Sequence, residues 1–109
     1  MTGSFKTDPV GFNLIAFKAG NQEQIDFVRA KEYSAILSFA MNIVFADNRI
    51  PENSVKIKEV EDIIEAAFCR LTYHRSGMES YSHIVRFTYI IVRNELITYQ
   101  RSQMGFLHV

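Results

Sequence analysis

The side chains that could carry out chemistry are few in this chain, beginning with its one cysteine, Cys69. A single thiol excludes an intramolecular disulfide bond and any zinc cluster built from several cysteines. A nucleophilic cysteine needs a nearby base, and His74 lies five residues further on, a poor approach within one helix. Because Cys69 follows Phe68 near an apolar stripe, we predict a buried and inert thiol.

The histidines and the acidic residues form no metal-binding or acid–base motif. His74, His83 and His108 show neither HxxxH nor HExxH spacing, which indicates solvated or helix-capping histidines. The acidic residues of the third predicted helix alternate with lysines, which is typical of a solvated helix face: Glu59, Glu61, Asp62 and Glu65. We therefore predict no catalytic residue, no cofactor and no metal ion.

The formal net charge is zero, but the charges are unevenly divided along the chain. Residues 1–66 contain seven Lys/Arg and ten Asp/Glu, whereas residues 67–109 contain five arginines and two acidic residues. We predict that the two regions neutralise each other within the fold, with Arg86 and Arg93 beside Glu61 and Glu65. Nucleic acid is not the expected partner, because a chain of pI near 6.8 lacks the positive field of such binders. That alternative requires the C-terminal arginines on one exposed face without acidic neighbours.

Arg101 and His108 are separated by six residues, a spacing that overlaps the Arg–His signature of the HEPN helical-bundle ribonucleases. This two-residue resemblance implies RNA cleavage by a small helical bundle. It ranks last of three functional hypotheses, after protein binding and nucleic-acid binding.

The bulk properties indicate one domain, 1–109, whose 48% apolar content is enough for a hydrophobic core. Residues 1–7 are polar and contain glycine, so we expect them to be flexible. The N-terminus lacks the basic-then-apolar order of a signal peptide, and the longest uncharged run, 33–46, falls short of the roughly 20 residues that span a membrane. With a single thiol, these features suit a soluble protein of the reducing cytoplasm.

Three helices are predicted before residue 80. Asp8-Pro9 begins a short N-terminal helix that ends at Gly20 and turns Val10, Leu14 and Phe17 inward, although a strand over 12–17 is the rival. Asn21 caps a second helix that runs to about Ala46. The third has the most regular apolar stripe and ends near Gly77, with these residues facing inward: Ile57, Val60, Ile64, Ala67 and Leu71.

The segment 84–99 is almost continuously apolar and allows two interpretations. As a helix it begins at Ser80 or Ser82 and runs to about Ser102. As a β-hairpin it would use its β-branched and aromatic residues, but the available turn, 93–95, contains no glycine. We therefore predict an all-α fold, a small bundle of three long helices plus a short N-terminal helix. The alternative is an α+β fold with 84–99 as a β-hairpin.

Because apolar residues surround the last helix, we expect one side of it to meet another chain, most simply in a two-fold homodimer built partly from residues 81–99. The competing explanation is that the N-terminal helix covers this side within one chain. The predicted interaction surface comprises Tyr81, Arg86, Tyr89, Arg93, Tyr99 and Arg101. The favoured function is a non-catalytic protein–protein interaction or regulatory protein, such as an adaptor, inhibitor or assembly factor.

Overall fold

The computed structural model describes residues 8–46 and 57–107, with side chains as far as residue 102. These residues form four α-helices: α1 (Leu14–Lys18), α2 (Gln22–Phe45), α3 (Ile57–Tyr73) and α4 (Tyr81–Leu107). No strand occurs in the described ranges, so the all-α prediction is confirmed and the β-hairpin alternative is wrong. Residues 1–7, whose flexibility was predicted, lie outside these ranges.

The three long helices form a bundle in which α3 runs opposite to α2 and α4. Gln22, at the start of α2, lines one cleft with Thr72, near the end of α3, whereas Arg29, two turns further along α2, contacts Glu65, two turns earlier in α3. Each pair of helices shares a buried seam, so the core runs along the bundle axis: Val28, Ile36, Ala40, Val44, Val60, Ile64, Ala67, Leu71, Ile84, Val92 and Leu96 are all buried.

The N-terminal helix is shorter than predicted and begins later. Gly11 has a φ of 92°, which a right-handed helix does not allow, so residues 9–12 form a turn and the Asn13 side chain caps α1 instead. Val10 is consequently 99% exposed, and its predicted inward position is wrong. Asp8 caps a different helix, because its Oδ1 accepts a hydrogen bond from the Tyr81 backbone N–H at 3.3 Å.

The second helix follows the prediction closely. Gly20 has a φ of 91°, the left-handed conformation that ends α1, and the Asn21 Oδ1 then accepts a hydrogen bond from the Gln24 N–H at 3.1 Å. The helix ends at Phe45, one residue before the predicted end.

The third helix confirms four of the five predicted inward residues. Val60, Ile64 and Ala67 are fully buried and Leu71 is 2% exposed, whereas Ile57 is 55% exposed and that prediction is wrong. Ile57 is the first residue of α3, and too few of the described residues pack against it to bury it. Gly77 does not end α3 either. The helix ends at Tyr73, and Gly77 closes a single turn of 3₁₀-helix.

The fourth helix begins at Tyr81 with Ser80 as its cap, because the Ser80 Oγ accepts a hydrogen bond from the His83 N–H at 3.0 Å. It continues to Leu107, beyond the predicted end near Ser102. Packing against α2 and α3 overrides its β-forming composition. Thr88 is buried, and its hydroxyl donates a hydrogen bond to the Ile84 carbonyl at 2.8 Å.

The N-terminal segment covers one end of the bundle. Phe12 packs edge-to-face on Tyr81 with ring centroids 4.9 Å apart, and it also contacts Phe17 and Phe27. Its contacts with α4 therefore lie at the first residue of that helix and do not extend along its length.

Candidate functional site

Tyr81, predicted on the interaction surface, lies instead in the interior. Its side chain is 7% exposed, and its hydroxyl donates a hydrogen bond to Glu32 Oε2 at 2.7 Å. Burial raises the pKa of Tyr81 far above its usual range, and the hydrogen bond to Glu32 and the charge of that carboxylate add to this effect. Tyr81 is therefore not available to a partner, and that part of the prediction is wrong.

The other two predicted tyrosines lie half-buried at seams between helices. Tyr89 packs edge-to-face on Phe39 of α2 at 4.8 Å, and burial raises its pKa, with a further contribution from the charge of Glu32. Tyr99 lines a cleft between α3 and α4. Aromatic residues in an apolar segment serve both cores and interfaces, so their type could not separate the two roles.

The three predicted arginines, in contrast, all reach solvent on one side of α4. Arg86, Arg93 and Arg101 are exposed and lie seven and eight residues apart, which keeps all three within about 80° of one another around the helix axis. Between them are Ile90, which is 51% exposed, and the half-buried Ile97. We call these five residues the arginine face of α4.

No acidic residue lies on the arginine face. Among the described residues, the predicted pairs of Arg86 and Arg93 with Glu61 and Glu65 do not form, so that prediction is wrong. Glu65 binds Arg29 at 2.6 Å, because it points toward α2. Glu95, the acidic residue of α4, points toward α3 and lies 3.6 Å from Arg70. Helical spacing thus separates Glu95 from the arginines near it in sequence.

The surface that α3 and α4 form together carries different charges at its two ends. One end has a cleft of about 430 Å³ with three carboxylates, those of Glu59, Asp62 and Glu95. The other end has a cleft of about 540 Å³ beside Arg70 and Tyr73, and Tyr73 is 81% exposed. The exposed Ala66 lies on α3 between these ends.

Cys69 is exposed, and the prediction of a buried thiol is wrong. It follows the buried Ala67 by two residues, a rotation of about 200° that turns it away from the core. His74 lines the same cleft as Cys69, but its ring packs on Tyr73 and Phe87. No hydrogen bond joins Cys69 to a base within the described ranges.

The remaining sites predicted from sequence are structural where the chain is described. The His83 Nδ1 accepts a hydrogen bond from the Glu79 N–H at 3.1 Å, a capping role, and His74 is exposed. No group of three His, Cys, Asp or Glu side chains that could hold a metal ion occurs in the described ranges. His108 lies outside these ranges, and the pairing of Arg101 with it therefore stays a prediction.

Of the helices as described, none is both long enough and apolar enough to cross a membrane. Comparison with protein-family models, with curated proteins and with solved structures yields no significant match to this chain.

Proposed function

We propose that this chain is a non-catalytic protein-interaction protein of the cytoplasm, of the adaptor, inhibitor or assembly-factor kind, and that it binds through the arginine face of α4. The observation that carries the proposal is the placement of Ile90, which is 51% exposed between Arg86 and Arg93 on a surface without an acidic residue. A protein partner would cover the isoleucine and supply carboxylates to the arginines.

The residue types on this face support protein binding. Arginine is enriched at protein interfaces, where its planar guanidinium donates two parallel hydrogen bonds to a carboxylate. Burying the exposed part of Ile90 in a complex removes apolar surface from water, a gain that a solvated helix face does not offer. The arginines make no ion pair with another described residue, so a partner would not have to displace one.

Site-specific photo-cross-linking in living cells tests this proposal. A benzophenone amino acid at position 90 should give discrete cross-linked protein species, whereas the same group at Ser34, an exposed position of α2, should give none. The position-90 species should disappear when Arg86 and Arg93 are both changed to Glu. Equal cross-linking at both positions, or none at position 90, would contradict the proposal.

A second candidate function, nucleic-acid binding, is favoured by one observation. Three of the five C-terminal arginines, Arg86, Arg93 and Arg101, share an exposed face that no acidic residue enters, whereas Arg70 lies 3.6 Å from Glu95. Adjacent arginines are separated by about 10–12 Å along the helix axis, which lets them contact separate phosphates.

The two candidate functions are distinguished by the salt dependence of RNA binding and by the effect of changing Ile90. Binding of a single-stranded RNA 20-mer through three phosphates should weaken with a slope of about −2 in a plot of log K against log salt. Changing Ile90 to Ser should leave RNA binding unchanged, because the isoleucine contacts no phosphate, but it should remove protein cross-linking from a benzophenone amino acid placed at the exposed neighbouring position Asn94. The second candidate would be established by two results together. RNA binding would be lost when Arg86, Arg93 and Arg101 are all changed to Gln, and it would be kept when Ile90 is changed to Ser.

A further inference from the structure

We propose that the partner of the arginine face is α3 of a second copy of this chain, in a two-fold dimer whose axis runs parallel to the helices. This inference rests on the proposed function and names the partner for the same surface. It is carried by the complementary charges and exposed apolar residues of α3 and α4.

The clefts between α3 and α4 show which residues lie at the same level of the bundle. Glu59 and Asp62 lie beside Tyr99 and Ser102 in one cleft, so they are level with Arg101, which is adjacent in sequence. In the other cleft, Tyr73 and His74 lie beside Phe87 and Ile91, so Tyr73 is level with Arg86 and Ile90. The outward side of α3 is thus acidic at the level of Arg101 and aromatic at the level of Ile90.

A two-fold axis parallel to the helices brings α3 of one copy opposite α4 of the other. Residues at the same height along the bundle axis then face each other across the interface. Arg101 then faces Asp62 and Glu59 of the second copy, and Ile90 faces the exposed Tyr73. The small side chain of Ala66 leaves room for Arg93. Lys58 and Arg70 are the opposing cations on this side of α3, and each already pairs with an acidic residue of its own chain, Asp62 and Glu95 respectively, at 3.6 Å.

An axis perpendicular to the helices would instead pack α4 on α4. Arg86 would face Arg101, and Arg93 would face its own copy, so like charges would meet at three levels of the contact, with Ile90 facing Ile97 between them. Like charges opposed at an interface disfavour association by several kcal/mol. The charges on the two helices therefore select the parallel axis.

This arrangement accounts for the uneven charge distribution along the chain. The acid-rich first part and the arginine-rich second part do not pair through Arg86 or Arg93 within one chain. In the dimer Arg101 of the second part pairs with Asp62 and Glu59 of the first part of the other copy, and each copy contributes both surfaces, as a closed two-fold interface requires.

The interface is small. The 17 residues of α3 span about 25 Å, and two adjacent helices are about 20 Å across. The area that such a contact buries is near the lower limit for stable protein complexes. We therefore expect a dissociation constant of about 1–100 µM.

Sedimentation equilibrium of the full chain over about 5–500 µM, a range set by this expected affinity, should show a monomer–dimer equilibrium. A 12.6 kDa monomer throughout the range would overturn the proposal.

A charge exchange tests the arrangement and is independent of folding. Arg101→Glu places two acidic groups opposite each other in a homodimer, and Asp62→Lys places two basic groups opposite each other. Each variant alone should therefore dimerise about 10-fold more weakly or worse. A mixture of the two variants restores opposite charges at both contacts and should associate as tightly as the parent protein. A mixture no tighter than the separate variants would overturn the arrangement.

Disulfide trapping supplies the geometric test, in a background in which Cys69→Ser removes the native thiol. Mixed oxidation of one Tyr73→Cys variant and one Ile90→Cys variant should give a covalent dimer containing both chains. Neither variant should give a comparable covalent dimer alone. A covalent dimer from an Arg93→Cys variant alone would indicate that α4 packs on α4 and would overturn the proposed axis.

The outcome for the second copy is separable from that for the proposed function. A monomeric chain whose position 90 still cross-links to a different protein would reject the dimer and leave the arginine face as a binding surface. A monomeric chain without any cross-link at position 90 would reject both.

Discussion

The seam between α2 and α3 and the outward face of α4 both carry arginines, but they use them differently. At the seam, Arg29 contacts Glu65 at 2.6 Å and lies 5.1 Å from the centre of the Phe68 ring. On the outward face, Arg86, Arg93 and Arg101 contact no acidic residue among those described. Residue type alone therefore does not indicate whether an arginine stabilises the fold or remains available to a partner.

The same contrast holds for isoleucine and gives the largest expected effect. Ile64 is fully buried, whereas Ile90 is 51% exposed. We expect Ile64→Ala to lower the free energy of unfolding by about 2–5 kcal/mol, through lost burial and the cavity left behind. Ile90→Ala should lower it by less than about 0.5 kcal/mol in the monomer. Urea unfolding followed by circular dichroism at low protein concentration measures both, and equal losses would refute the contrast.

Tyrosine provides the next comparison. Tyr81 is buried and donates a hydrogen bond to Glu32, whereas Tyr73 is 81% exposed and makes no hydrogen bond within the described ranges. Tyr81→Phe should lower the free energy of unfolding by about 1–2 kcal/mol, because a hydrogen bond to a charged group is lost. Tyr73→Phe is the matched control and should have no measurable effect on the monomer. If Tyr81→Phe leaves the free energy of unfolding unchanged, water replaces the Tyr81 hydroxyl equally well as the hydrogen-bond donor to Glu32.

Alkaline pH should reduce the difference between Tyr81→Phe and the parent protein. The pKa of Tyr81 is raised in the fold by burial, by the hydrogen bond to Glu32 and by the charge of that carboxylate. Its contribution to stability is therefore fully present below the unfolded tyrosine pKa of about 10 and is lost as the pH rises above that value. The parent should lose stability faster than Tyr81→Phe between pH 9 and 11. Parallel loss in both proteins would show that Tyr81 does not cause the alkaline sensitivity.

The smallest expected effect is the coupling between charges. A double-mutant cycle of Arg29→Met and Glu65→Gln should give a coupling energy of about 0.5–1 kcal/mol, because both side chains remain partly solvated. The matched cycle of Arg86→Met with Glu65→Gln should give none. Similar coupling in both cycles would place Arg86 near the acidic residues of its own chain and weaken the case for a partner.

Much of the fold follows from local patterns in the sequence. Asn21 and Gly20 set the boundary between α1 and α2, since their cap and left-handed backbone depend on their own side chains. The spacing of Val60, Ile64, Ala67 and Leu71 oriented α3 correctly. The same reasoning failed at Asp8, because its capping partner, Tyr81, is distant in sequence.

The candidate site was only partly predictable. The arginines of α4 were identified by type and spacing, but the choice between internal pairing and exposure depended on how α4 is rotated against α2 and α3. That rotation also placed Tyr81 inside, Ile90 outside and Cys69 on the surface. A segment that is apolar almost all round allows several rotations with similar burial, so its own pattern cannot choose among them.

The sequence by itself determined the helical class, the boundary between α1 and α2 at Gly20 and Asn21, and the inward side of α3, because each depends on residues within a few turns of one another. Only the tertiary structure decided which charges are paired. The pairs of Arg29 with Glu65 and of Arg70 with Glu95 join different helices, and helix packing sets their distances. The arginine face of α4 follows from that packing, because the acidic residues near it in sequence and in the fold point toward other helices.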